Sequence, residues 1–253
     1  MKDSVCKVMG IVNVTPDSFS DGGKYFQASE AVRRARNMLE EGAAIIDIGG
    51  ESTRPGSTAI SWQEEWSRIK DVVASLVKLR AKADAKGKGS FRISVDTYHP
   101  ETAKLAVEAG IDIINCVYAG PVPEMLKILE AHDGVELILP SQFDTAAVPQ
   151  KLLPRLILDP MIGFGTTREE DLEILRNIKK LSQKGRVLIG ASRKRIVKKL
   201  TGEKTTGKNL GGNLAIAMWS ALNGAEIVRV HDVKETVQAV KTAAVLSGKA
   251  MME

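Results

Sequence analysis

The sequence predicts an α/β fold, a (β/α)8 TIM barrel over residues 1–253, with its fifth outer helix shortened or missing. Three observations carry this. Eight short apolar runs alternate with amphipathic helical stretches from end to end, and such alternation implies parallel strands. A chain of 253 residues accommodates eight such units in one domain. Polar side chains gather just past the apolar runs, at the strand ends where parallel sheets bind ligands. A doubly wound sheet is the alternative architecture.

The elements follow in order. Strands are expected at 7–14, 43–48, 91–95, 111–117, 135–139, 156–158, 187–191 and 226–230. Helices are expected at 29–41, 64–85, 100–109, 122–132, 169–184, 210–223 and 234–246. The first run ends in a polar loop with no cleavage pattern, so it reads as a strand and not as a signal peptide. The second, IIDI, opens a short apolar run rich in β-branched residues, as a strand buried on both faces should be. Gly42, Gly110, Gly134 and Gly224 stand where helices must stop. The fifth crossover, PSQFDTAAVPQKLLPR at 140–155, is the irregular one. Parallel crossovers normally use a helix, and Pro149 and Pro154 leave room here for a turn or two. The flank left bare is expected to be covered by a neighbouring helix or a partner chain.

Composition narrows the function classes. Hydrophobic residues make up 43% and aromatics 4%, so Ile, Val, Leu and Ala must fill the core. The net charge of +5 sits mostly in Lys pairs on helix faces. No basic tract is interleaved with aromatics, which argues against nucleic acid, and no run is long enough to span a membrane. Cys6 and Cys116 lie in apolar runs without a framework or metal spacing, as buried thiols of a reducing cytosol would. Asn13-Val14-Thr15 matches a glycosylation triplet by coincidence in such a chain.

The chemistry-bearing residues lie at the strand ends. Asn13 ends the first strand, where its carbonyl can reach a hard metal ion or a ligand. The loop after it, TPDSFSDGG, has the polarity and length of a lid. The second strand ends GGESTRPGS, placing Glu51, Thr53 and Arg54 beside glycines that allow close backbone approach. Asp96 ends the third strand and can accept paired hydrogen bonds from a guanidinium-like heterocycle, or cap the next helix. Asn115, Asp159 and the run Ser192, Arg193, Lys194, Arg195 end the fourth, sixth and seventh. Arg229 and His231 alternate onto one face at the end of the eighth. Gly163 and Gly165 do not complete a dinucleotide fingerprint.

Together, GIVNVTPDSFSDGG, IDIGGESTRPGS, SVDT, LDPMIGFG, SRK and RVHDV occur in one order, and by them the chain resembles the dihydropteroate synthases over nearly its whole length. The resemblance implies a transferase that joins hydroxymethyl-dihydropterin pyrophosphate to para-aminobenzoate, releasing pyrophosphate in folate synthesis. It implies that Asp96, Asn115, Asp159 and Lys194 hold the pterin. It assigns Asn13, Arg54, Arg229 and His231 to the pyrophosphate, with Mg²⁺ at Asn13. Asp17, Phe19, Thr53, Pro55 and Arg195 would contact para-aminobenzoate and close the loops over it. A cytoplasmic homodimer is expected, with no nucleic acid or membrane partner. The chain departs from the family at Cys116 (usually Asp), Met161 (usually Gly), Thr166 (commonly Lys) and Pro140-Ser141-Gln142 (usually a Met-His pattern). Two further readings remain: a pterin-binding methyltransferase domain, which needs no pyrophosphate ligands, and a pterin-binding protein without turnover.

Overall fold

A computed structural model of the chain describes residues 5–15, 24–52, 57–87, 90–205 and 207–251. Eight parallel strands close into a barrel in sequence order. They are β1 (Lys7–Asn13), β2 (Ile45–Gly49), β3 (Arg92–Asp96), β4 (Ile113–Asn115), β5 (Glu136–Pro140), β6 (Leu156–Asp159), β7 (Arg186–Ile189) and β8 (Ile227–Val230). The outer helices are α1 (Lys24–Glu40), α2 (Trp62–Ala85), α3 (Pro100–Glu108), α4 (Val122–Ala131), α5 (Arg168–Arg176), α6 (Ile178–Ser182), α7 (Arg195–Thr201), α8 (Leu210–Leu222) and α9 (Val233–Leu246).

The barrel interior is layered because alternate residues of each strand face the axis. Seven strands contribute one fully buried apolar residue each to the middle layer: Met9, Ile45, Ile113, Ile138, Ile157, Leu188 and Ile227. Buried Ser94 lies on β3, directly paired in register with Asp47 of β2. Two residues earlier on several strands stands a charge. Arg92 bonds Glu136 at 2.7 Å, Glu136 bonds Arg186 at 2.8 Å, Arg186 bonds Glu226 at 2.7 Å, and Glu226 bonds Lys7 at 3.3 Å. The alternating signs close the floor of the barrel.

This floor sets an acid limit. Hydrogen bonding from Arg186 holds the Glu226 carboxyl down at about 2, against an ordinary value of 4.5. Between those values the unfolded chain binds the proton and the folded chain does not. The contribution of Glu226 is therefore complete above pH 4.5 and lost as pH falls toward 2. In a pH series of denaturant melts, Glu226→Gln is expected to be less stable than the native chain at pH 7. The difference should shrink steadily below pH 4.5.

The fifth crossover has no α-helix. Only a single 3₁₀ turn, Leu153–Arg155, interrupts it. Within this chain, cover for the flank comes from the loop itself rather than from the neighbouring helix. Val148 and Leu152 are buried in the main core cluster, with Phe143 packed against it. Arg155 fastens the segment by donating to the carbonyls of Leu129 (2.8 Å), His132 (2.5 Å) and Val135 (2.7 Å), which satisfies the end of α4 and the entry to β5. Arg155→Ala strips a charged donor from three acceptors. We expect a loss of about 3 kcal/mol in chemical denaturation, with Arg155→Lys recovering only part.

Two further differences have local causes. The helix expected at 169–184 is two helices meeting at Asn177, whose side-chain amide donates to the Glu173 carbonyl at 2.8 Å. The short α7 lies between β7 and α8, a unit with two helices where one was expected.

Candidate active site

Two residues above the apolar layer, the interior turns polar. Ile45 gives way to Asp47, Ile113 to Asn115, Ile157 to Asp159 and Ile227 to Arg229, while Ser94 gives way to Asp96. The strand register brings Asp96 beside Asn115. The Arg229 guanidinium joins them: its Nε donates to Asp47 Oδ2 at 2.6 Å and its Nη2 to Asp96 Oδ2 at 2.5 Å. Asn115 Nδ2 donates to the same Asp47 oxygen at 3.2 Å.

Lys194 reaches the opposite side of this layer from the turn after β7. Its Nζ donates to the Ile162 carbonyl at 2.5 Å and stands 4.4 Å from the centroid of the Phe164 ring. Asp159 Oδ1 accepts from the Met161 N–H at 2.7 Å.

Burial dominates the electrostatics. It pushes Asp96 up to about 7; the Arg229 guanidinium pulls the other way, and the Asp47 charge adds to the rise. Burial also raises Asp159, against the pull of Lys194, and lowers Lys194 to about 8. The layer therefore offers two buried carboxyl groups, with Asp96 near its midpoint at neutral pH, and an ammonium donor at Lys194. That set matches a planar heterocycle with amidine-type N–H groups on one edge and acceptors on another.

The structure thus brings Asp96, Asn115, Asp159, Lys194 and Arg229 together at the C-terminal end of the barrel. His231 sits beyond Arg229 with Nδ1 3.1 Å from Ser192 Oγ, and its carbonyl accepts from Arg34 Nη2 at 3.0 Å. Asn13 ends β1 opposite Gly49, and a side chain at Gly49 would meet Asn13 Oδ1 at 3.6 Å. Arg195 is exposed as the first residue of α7. Asp17, Phe19, Thr53, Arg54 and Pro55 lie outside the described residues. Among the described residues no cluster of three His, Cys, Asp or Glu could hold a metal ion.

Sequence reasoning passed over Asp47. The available signal was a carboxylate inside a run buried on both faces, which demands a partner. It also passed over the anchor behind the β2 exit. Tyr98 donates its hydroxyl to Glu51 at 2.7 Å, Thr97 donates to buried Glu65 at 2.7 Å, and Arg68 donates to the Gly50 carbonyl at 2.9 Å. Gly50 must be glycine here, since a Cβ would stand 2.8 Å from Ile69 and 3.0 Å from the Glu65 backbone. The departures take local roles. Met161 holds φ at 60°, in the left-handed region that suits glycine. Thr166 donates to the buried carboxylate of Asp171, which also accepts from the Gly163 N–H. Cys116 is a buried thiol that contacts the Tyr118 carbonyl, and burial pushes it up to about 11.

Comparison with known proteins gives consistent results. A family model described as "Pterin binding enzyme" matches residues 9–152 and 141–231. The dihydropteroate synthase of Streptococcus pyogenes serotype M6 is 37% identical over 252 residues, covering 90% of each chain. The dihydropteroate synthase of Clostridium difficile, solved in the presence of pteroic acid, superposes with a TM-score of 0.83 at 30% identity, over 97% of this chain and 98% of that one. That of Xanthomonas albilineans with 4-aminobenzoic acid gives 0.82 at 34% identity, over 98% and 95%.

Proposed function

Since the chain belongs to the dihydropteroate synthase family of pterin-binding enzymes, we propose that it joins hydroxymethyl-dihydropterin pyrophosphate to para-aminobenzoate as a transferase of folate synthesis. The observation that carries this reading is the convergence of Asp96, Asn115, Asp159 and Lys194 with Arg229 in one polar layer. Asp159, Asn115 and Lys194 orient the pterin. The bond from its methylene carbon to pyrophosphate breaks, and both electrons leave with the oxygen. The aniline nitrogen supplies the pair for the new C–N bond and releases a proton. The amine is neutral at pH 7, so the reaction asks for no strong base.

The work of the chain is to hold and stabilise the departing anion. Asn13, Arg54, Arg229 and His231 are the ligands in this reading, with the N-terminus of α9 beside His231 favouring negative charge. Mg²⁺ belongs at Asn13. A single neutral oxygen beside an anion site suits an ion that keeps its waters and takes substrate phosphate oxygens. When bound, Mg²⁺ supplies charge neutralisation to the leaving group. Arg195, exposed next to Lys194, suits the carboxylate of para-aminobenzoate, with Asp17, Phe19, Thr53 and Pro55 closing over it. A homodimer is supported by α8, LGGNLAIAMWSAL, which is predominantly apolar and leaves Trp219 and Leu222 exposed. No described helix is long and apolar enough to cross a membrane, and buried free Cys6 and Cys116 suit a reducing cytoplasm.

The test is pyrophosphate release with both substrates and Mg²⁺. Release that requires para-aminobenzoate is expected. Pterin binding in a calorimeter without any release would instead mark a binding module. In the same calorimeter, Asp159→Asn is expected to weaken the pterin by roughly 1.5–3 kcal/mol, the cost of a lost charge-assisted hydrogen bond.

A further inference from the structure

We infer that Arg193 is a positioning residue which, paired with Asp232, ties the turn carrying Lys194 to the turn carrying His231, so that the pterin end and the anion end of the site are held as one unit. The inference rests on the synthase reading above.

Two local preferences are given up for this one contact. Arg193 has φ of 61°, in the left-handed region where a Cβ is strained and glycine is at ease. Asp232 is the N-cap of α9, where an aspartate ordinarily accepts from the helix's own N–H groups. Its side chain makes no such bond. Its Oδ1 instead accepts from Arg193 Nη2 at 2.5 Å.

The strained backbone is fixed from a third side. Asn213, buried on α8, accepts from the Arg193 N–H at 3.0 Å. The flanking residues complete the tie. Ser192 Oγ accepts from the His231 N–H at 3.3 Å and lies 3.1 Å from His231 Nδ1. Lys194, on the other side, reaches the Ile162 carbonyl at 2.5 Å. Three consecutive residues thus link the turns after β6, β7 and β8.

Stability alone does not account for the arrangement. The Arg193 and Asp232 side chains are 35% and 23% exposed, and ion pairs at such positions add little to folding. Strain kept at a site without a stability return points to geometry held for binding.

The experiment compares the native chain with Arg193→Gly, Asp232→Asn and the double variant. The probes are 6-hydroxymethylpterin and inorganic pyrophosphate with Mg²⁺, titrated calorimetrically alone and together. In the native chain saturating pyrophosphate should tighten the pterin by about fivefold or more. In Arg193→Gly that factor should fall toward one, and kcat by roughly ten- to a hundredfold with little change in either KM. Its melting midpoint should hold or rise, because glycine relieves the left-handed backbone. Asp232→Asn should reproduce the loss of coupling, and the double variant should add nothing further. Native turnover with unchanged coupling in the variants overturns the inference and leaves the activity standing. A lowered melting midpoint with native coupling makes the pair merely structural and overturns it too. Absence of turnover in the native chain overturns the synthase reading and this inference together.

Discussion

Asp47→Leu is expected to lose about 3–5 kcal/mol of folding stability, lowering the melting midpoint by roughly 10 °C. Asp47 is fully buried, and one of its oxygens accepts from both Arg229 and Asn115. Leucine keeps the same branched four-atom shape and is the bulkier of the two, so no cavity is made. What remains is a guanidinium with one carboxylate instead of two and a buried amide without its acceptor. Removing one partner of a buried charge costs far more than the pair is worth as a whole. Asp47→Asn should cost roughly half as much. It keeps an oxygen for both donors but sets an amide nitrogen where Asp47 Oδ1 stands, a buried position without a partner. The asparagine variant should also move a titration. Asp47 is one of the charges that raise Asp96, so its neutralisation must lower Asp96 from about 7. The acid limb of pterin binding should shift to lower pH in that variant. An unmoved limb, measured by calorimetry across pH 5–8, would detach Asp96 from Asp47 and Arg229.

Arg229→Lys is expected to lower kcat by about a hundredfold or more although the charge is kept. Arg229 uses Nε toward Asp47 and Nη2 toward Asp96, in one plane. A lysine ammonium has no such fork and cannot face both carboxylates and an anion in fixed directions. The remaining Nη1 group and the second Nη2 proton are the donors left for a departing phosphate oxygen. Pyrophosphate with Mg²⁺ and a pterin should protect the native chain against thermal unfolding, and that protection should fade in Arg229→Lys and in His231 variants. Near-native turnover in Arg229→Lys would remove Arg229 from the stabilisation of the leaving group. No protection of the native chain at millimolar ligand would remove the anion site itself.

Much of this was legible in the chain because its signals are local. Short β-branched runs separated by helical periods fix eight strands and their order, since each pattern lies within a window of a dozen residues. Polar residues just past the runs locate Asp96, Asn115, Asp159 and Lys194, because a parallel strand carries its last side chains to the ligand-binding face. Pro149 and Pro154 remove the fifth helix by the same local logic.

What the chain alone left open was decided by closure. Arg229 meets Asp47 across 182 residues and Asp96 across 133, contacts that exist only because the barrel points all three side chains at one axis. Arg155 caps α4 across 23 to 26 residues because the shortened fifth crossover passes its end. The floor ring needs β3, β5, β7 and the residue leading into β8 around one circle before its charges can alternate. The residue types declare that a charge must find a partner; only the tertiary structure determines which one lies within hydrogen-bond reach, since pairing depends on distances that sequence separation does not encode.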